Sequence, residues 1–166
     1  MKKLNRKGFT LVELLAVIII LAVVVGITIP TILTTTANAK KKAFETAAAT
    51  AADWFDRQYQ SYLIGNPDLS QYDAAFETLF IDNTNKTLKQ TSVKIDATSL
   101  IQNAGLSTKN VLKMEVTFNS AGRSCVELTP QPDGDYANIT GMPTAEGGNC
   151  GSIKSGVEQN WELFNA

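Results

Sequence analysis

Histidine is absent from the 166 residues, and cysteine occurs only twice. The first absence removes the side chain most often used as a general base near neutral pH. Together they leave too few ligands for the common zinc patterns, and no nucleophile–base constellation can be drawn around either thiol. Strong helix breakers are also scarce early on, since Pro30 is the only proline before residue 67. The most consequential absence is charge: residues 14–39 contain no Asp, Glu, Lys or Arg. The apolar core of that run, residues 14–33, is about the 20 residues that a helix needs to cross a bilayer. There is no internal repeat and no low-complexity tract longer than a few residues. Residues 147–155, GGNCGSIKS, place Ile153 rather than glycine before Lys154, so no phosphate-cradling loop results.

Ahead of the apolar run stands MKKLNRKG, in which Lys2, Lys3, Arg6 and Lys7 are four positive charges without an acid. Such a cluster remains on the cytoplasmic side of a membrane, which predicts that the remainder of the chain lies outside. A secretory signal peptide begins in the same way, and Thr36, Ala37, Asn38 and Ala39 imitate its cut site. Its apolar region, however, is typically 7–15 residues long and uninterrupted. Here the run is longer, and Glu13 sits within its first turns. A carboxylate in an apolar helix costs roughly 2.5–3.5 kcal/mol near the bilayer centre and less toward the interface, which makes Glu13 a functional candidate that needs a positive partner.

Gly8, Phe9, Thr10, Leu11, Val12 and Glu13, after a short basic leader and before an uncharged helix, resemble the class III signal of type IV pilins and their pseudopilin relatives. The resemblance covers about the first 30 residues. It implies that a prepilin peptidase in the membrane cuts between Gly8 and Phe9 and methylates the new amino terminus at Phe9. It further implies that Glu13 is the buried acid used in subunit assembly, together with the Phe9 amine. Presence of this acid favours an ordinary stacking subunit over a tip subunit of the kind that lacks it. Pro30 matches a helix-bending proline of many pilins. With no amide hydrogen and a clash against the preceding turn, it is expected to kink or locally melt the helix around Gly26 and Pro30, although both residues are also tolerated in membrane spans. The implied partners are the membrane, the peptidase, identical or homologous subunits and a pilus assembly platform. DNA or a host surface stays open as a partner without being indicated, and no cofactor is expected.

Removal of residues 1–8 leaves 158 residues, enough for one modest globular domain on a long helix. The charge balance of 15 basic against 16 acidic side chains becomes 11 against 16 once the leader's four are gone, a net of −5. That argues against a surface that coats nucleic acid. Lys40, Lys41 and Lys42 follow the apolar run. They fit a solvated helix face, the preferred reading, or contact with anionic headgroups by snorkelling. From residue 37 to 64, Phe44, Ala47, Ala48, Ala51, Phe55, Tyr59, Tyr62 and Leu63 keep one apolar stripe, so an amphipathic stalk should continue the helix. Gly65, Asn66 and Pro67 should end it. Unbroken from Phe9 to Leu63, it would be about 80 Å long.

Beyond the stalk, Leu69, Tyr72, Ala75, Phe76, Leu79 and Phe80 suggest a short helix, and residues 83–86 a turn. Asp96 with Leu100, Ile101, Ala104 and Gly105 reads as another short capped helix. Residues 111–118 alternate as a strand with Leu112, Met114, Val116 and Phe118 on one face. Residues 119–122 form a hairpin turn, and 123–129 return with Val126 and Leu128 inward. Residues 136–140 and 157–164 are expected to be further strands of a small antiparallel sheet. An even cysteine count outside the cell favours a Cys125–Cys150 disulfide around the Pro- and Gly-rich loop over two free buried thiols. The pair fits the resemblance, since many pilins staple a comparable loop. The same resemblance offers a calcium reading for Asp133, Asp135 and Glu146, because some type II secretion pseudopilins hold calcium there. Solvated turn acids are preferred, the remaining ligands of an EF-hand loop being missing, and no metal is assigned. Asn85 and Asn138 each head a three-residue glycosylation pattern, which is weak evidence.

The expected fold is therefore α+β and pilin-like: a long N-terminal helix, membrane half then amphipathic half, packed on a small C-terminal antiparallel sheet. Its expected divisions are a leader at 1–8, a membrane or filament-core half-helix at 9–36, a stalk at 37–64 and a head at 65–166. The expected function is structural rather than enzymatic: a filament subunit stored in the cytoplasmic membrane and then assembled outside the cell into a type IV pilus-like filament for adhesion, twitching motility or DNA uptake, with a type II secretion pseudopilus as the alternative. The competing class is a Sec-exported or anchored ligand-binding domain that never polymerises.

Overall fold

A computed structural model describes residues 9–65, 72–137 and 144–151. Helix α1 (Leu11–Ile64) is rich in Leu, Ala, Val and Ile. Its β-branched residues carry only a modest helical penalty, and in lipid a helix satisfies every backbone group internally. Gly65 ends it in the left-handed region at φ 64°, its N–H donating to the Tyr62 carbonyl at 3.2 Å. The backbone stays helical at Gly26 and Pro30, so the local melting expected there is not found. Proline removes only the bond to the Gly26 carbonyl. Around it, the Thr28 hydroxyl donates to the Val24 carbonyl at 3.0 Å and that of Thr31 to the Thr28 carbonyl at 2.8 Å.

The chain divides into two compact units, Met1–Ala39 and Lys40–Ala166. In the first, every described side chain is exposed. The second holds the core. Along its part of α1, Phe44, Ala48, Ala51, Phe55 and Tyr62 of the predicted stripe are buried, Ala47 and Tyr59 are half-buried and Leu63 is exposed, while Ala52, outside the prediction, is buried as well. Helix α2 (Ala74–Phe80) is capped by Asp73, whose carboxylate accepts from the Ala75 N–H, and it buries Phe76 and Phe80. The residue 83–86 turn closes a two-stranded ladder of β1 (Ile81–Asp82) and β2 (Thr87–Leu88).

The main sheet is antiparallel in the order β3 (Ile95–Asp96), β4 (Val111–Phe118), β5 (Ser124–Pro130), β6 (Ala145–Gly148). Its inner face contributes Met114, Val116, Phe118, Val126, Leu128 and Ala145 to the same core cluster as α1 and α2. Phe55 lies at the centre, with its ring 5.5 Å from Phe80 and 6.4 Å from Phe118, both near edge-on. Each large apolar side chain buried this way contributes about 1.5–3 kcal/mol, and the edge-on rings add a little more.

Several expectations need correction. Leu112 does not face inward. Val111 pairs with Pro130 and Lys113 with Thr129, so Leu112 is the extra residue of a bulge and is exposed, while Val111 takes the inward position. Asp96 ends a short strand rather than starting a helix. It accepts the Thr98 N–H at 2.9 Å, and only a 3-10 turn (Thr98–Leu100) follows before Leu100, Ile101 and Ala104 bury themselves and Gly105 turns at φ 79°. Tyr136 and Ala137 form a turn, not a strand, and the Tyr136 ring stacks on Phe44 at 4.7 Å. Residues 138–140 and the expected strand at 157–164 lie outside the described residues. The fourth strand is instead β6, from a stretch that its two glycines had marked as loop.

Candidate assembly site

At the amino-terminal end, Thr10 and Glu13 are built as a reciprocal pair. The Thr10 N–H and hydroxyl donate to Glu13 Oε2 at 2.8 and 2.9 Å, while the Glu13 N–H donates back to Thr10 Oγ1 at 3.3 Å. This is a capping box, which satisfies amides that the first turn of a helix leaves without partners. Sequence reasoning assigned Glu13 only an intermolecular role and passed over Thr10. The signal was present, because Thr-x-x-Glu before an apolar run is a helix-start pattern.

Phe9 stands just before the helix and is 89% exposed. Gly8, and with it the expected cut, lies outside the described residues. On both sides of Glu13, the described side chains, Leu11, Val12, Leu14, Leu15 and those through Leu33, are exposed in the single chain. Glu13 is thus the lone charge on a long apolar surface. A surface of this kind belongs in lipid or against other apolar helices, at about 25 cal/mol per Å² of area removed from water. The helix is long and apolar enough to cross a membrane. A Cβ added at Gly26 would meet nothing within 4 Å, so in the single chain no close approach requires glycine there.

Cys125 and Cys150 are joined, with Cα atoms 4.7 Å apart. The bond ties β5 to the residue two beyond the end of β6. Asp135 does not reach toward Asp133 and Glu146 as a ligand set. It exchanges two hydrogen bonds with Asn110, at 3.1 and 3.2 Å, and among the described residues no group of three or more metal-ligating side chains gathers. Another polar cluster, not anticipated, fixes the β4–β5 hairpin to α1. Asp56 accepts from the Ser124 N–H and hydroxyl at 2.7 Å each and pairs with Arg123 at 3.0 Å.

A long amino-terminal helix followed by a small antiparallel sheet is a pilin-like α+β arrangement. Residues 3–29 match the family described as Prokaryotic N-terminal methylation motif. Over those residues the chain therefore carries the class III signal found in type IV pilins and pseudopilins. No curated protein and no solved structure matches it.

Proposed function

We propose that this protein is a structural subunit of a type IV pilus-like filament. It is stored as a single-pass protein in the cytoplasmic membrane with its head outside. Processing cuts between Gly8 and Phe9 and methylates the Phe9 amine. Assembly then packs the apolar half-helix, residues 9–36, into the filament core with the heads, residues 65–166, outermost. Glu13 pairs with the Phe9 amine of a neighbouring subunit, which sets the register, and a bend at Gly26 and Pro30 lets the helix follow the bundle. The observation that carries this reading is Glu13 standing as the only charge on a long, exposed, mostly apolar helical surface, inside a matched methylation motif.

Mass analysis of the mature amino terminus is the direct test. N-methylated Phe9 is the expected result, whereas a chain beginning at Lys40 would mean ordinary signal-peptide cleavage and would overturn it. The second reading is a pseudopilin of type II secretion, which shares this amino terminus. A compact disulfide-closed head on a long stalk favours the pilus. Imaging of extracellular filaments with and without the gene separates the two.

A further inference from the structure

Lys40, Lys41 and Lys42 are all exposed. Among the described residues the ion pairs are Lys94–Glu127, Lys113–Glu115 and Arg123–Asp56, so none of the three takes part in one. Lys89 also has a partner, the Thr78 carbonyl. The run is therefore three adjacent cations without anions, and the acid nearest in sequence is Glu45. It follows the uncharged residues 14–39 directly, and the threonines just before it turn their hydroxyls onto their own helix. Thr35 donates to the Thr31 carbonyl at 2.7 Å and Thr36 to the Ile32 carbonyl at 2.8 Å.

We infer that Lys40, Lys41 and Lys42 bind the anionic phospholipid headgroups of the outer leaflet and fix the depth at which the stored subunit sits in the membrane. Counted along the helix, Lys40 and Lys42 come about 10 and 13 Å after Leu33, where the apolar core ends. Side chains on a helix lean toward its amino terminus, here back toward the bilayer. A lysine stem reaching about 6 Å that way brings its ammonium to within about 4–8 Å of the hydrocarbon edge. The headgroup layer on each side of a bilayer is about 5–7 Å thick, so the three ammoniums fall in or at the phosphate layer. The inference rests on the membrane-stored reading above.

The test uses the full chain reconstituted into vesicles of phosphatidylethanolamine alone or mixed with phosphatidylglycerol. A membrane-impermeant amine reagent is added, and labelling is read lysine by lysine by mass spectrometry. Lys86 and Lys109, both exposed, are the internal references for heads facing outward. With phosphatidylglycerol, Lys40, Lys41 and Lys42 are expected to label about fivefold more slowly than in the neutral vesicles, and salt should erase the difference by screening. Equal labelling in both vesicles, with the protein still floating with the lipid, overturns this inference alone. A chain that does not float with the vesicles overturns it together with the membrane reading. The rival partner is a second copy, whose Asp96, Glu115, Glu127 and Glu146 lie directly opposite one another across the four strands. Carbodiimide-formed amide bonds from Lys40, Lys41 or Lys42 to those carboxylates of an isotopically heavy copy, with labelling indifferent to phosphatidylglycerol, would assign the lysines to subunit contact instead.

Discussion

At the scale of single residues, Glu13 has one partner in the isolated chain and a second in the proposed filament. In the isolated chain Thr10 holds its carboxylate through two donors, and the proposed filament contact must replace or extend that local arrangement. An unpaired charge buried among packed apolar helices costs several kcal/mol, whereas a paired one is tolerated. Glu13→Ala is therefore expected to leave cleavage at Gly8 largely intact and to abolish filaments, and electron microscopy showing normal filaments from it would sink the register mechanism. Two acids of the head, exposed Asp96 and half-buried Asp82, give a pH signature. Hydrogen bonds from the Thr98 side chain and then its backbone N–H hold Asp96 below its ordinary 3.8, and the Thr84 N–H is the main cause of the same shift at Asp82. A lowered folded pKa stabilises the fold above the ordinary value and ceases to do so as pH falls through the lowered one. Head stability should accordingly be level through neutral pH and decline below pH 3.8, and Asp96→Asn should flatten part of that decline in acid titrations followed by circular dichroism.

Among the elements, α1 and β6 approach each other closely at Gly147. A Cβ at Gly147 would land on the backbone of Ala48 and Ala49, and neither can withdraw without moving the helix. Gly147→Ala is expected to destabilise the head by about 1–3 kcal/mol or more in urea unfolding, the range for overpacking. Gly151→Ala, where an added Cβ meets nothing within 4 Å, is the matched control and should be near neutral. Gly147 is also where sequence reading lost a strand: glycines weaken strands in general, but here one is required by the approach of a helix of alanines. The disulfide belongs to the same edge. Cys125 pairs across from Gly148, and Cys150 follows two residues later. Closing a loop of this length stabilises by about 3–4 kcal/mol in the chain-entropy model. Reduction should thus lower the thermal midpoint and speed hydrogen exchange in β6 first, leaving α1 protected. Two alkylated thiols in protein from an oxidising compartment would show that the bond does not form there.

For the whole molecule, the two units behave differently by composition. A fragment beginning near Thr35 keeps the unit with the buried core and loses the exposed apolar surface, so it is expected to be soluble and monomeric by light scattering. Ordered filaments from it would contradict assembly through the half-helix. The amino-terminal motif, the helix apolar enough to cross a membrane, the stalk stripe, the helix stop at Gly65 and the β4–β5 hairpin were legible in the sequence because each depends on residues near one another along the chain: a charge pattern, a period, a breaker. The bulge that turns Leu112 outward, β3 and β6, the Asp56 clasp on Ser124 and the glycine required at 147 were not. Each is decided by a partner distant along the chain, as Asp56 is from Ser124 by 68 residues. The sequence determined which stretch is long and apolar enough to cross a membrane and where its helix stops, because those follow from local solvation and backbone chemistry. Tertiary structure alone decided which strands complete the sheet, because pairing and close packing are properties of two segments and are written in neither.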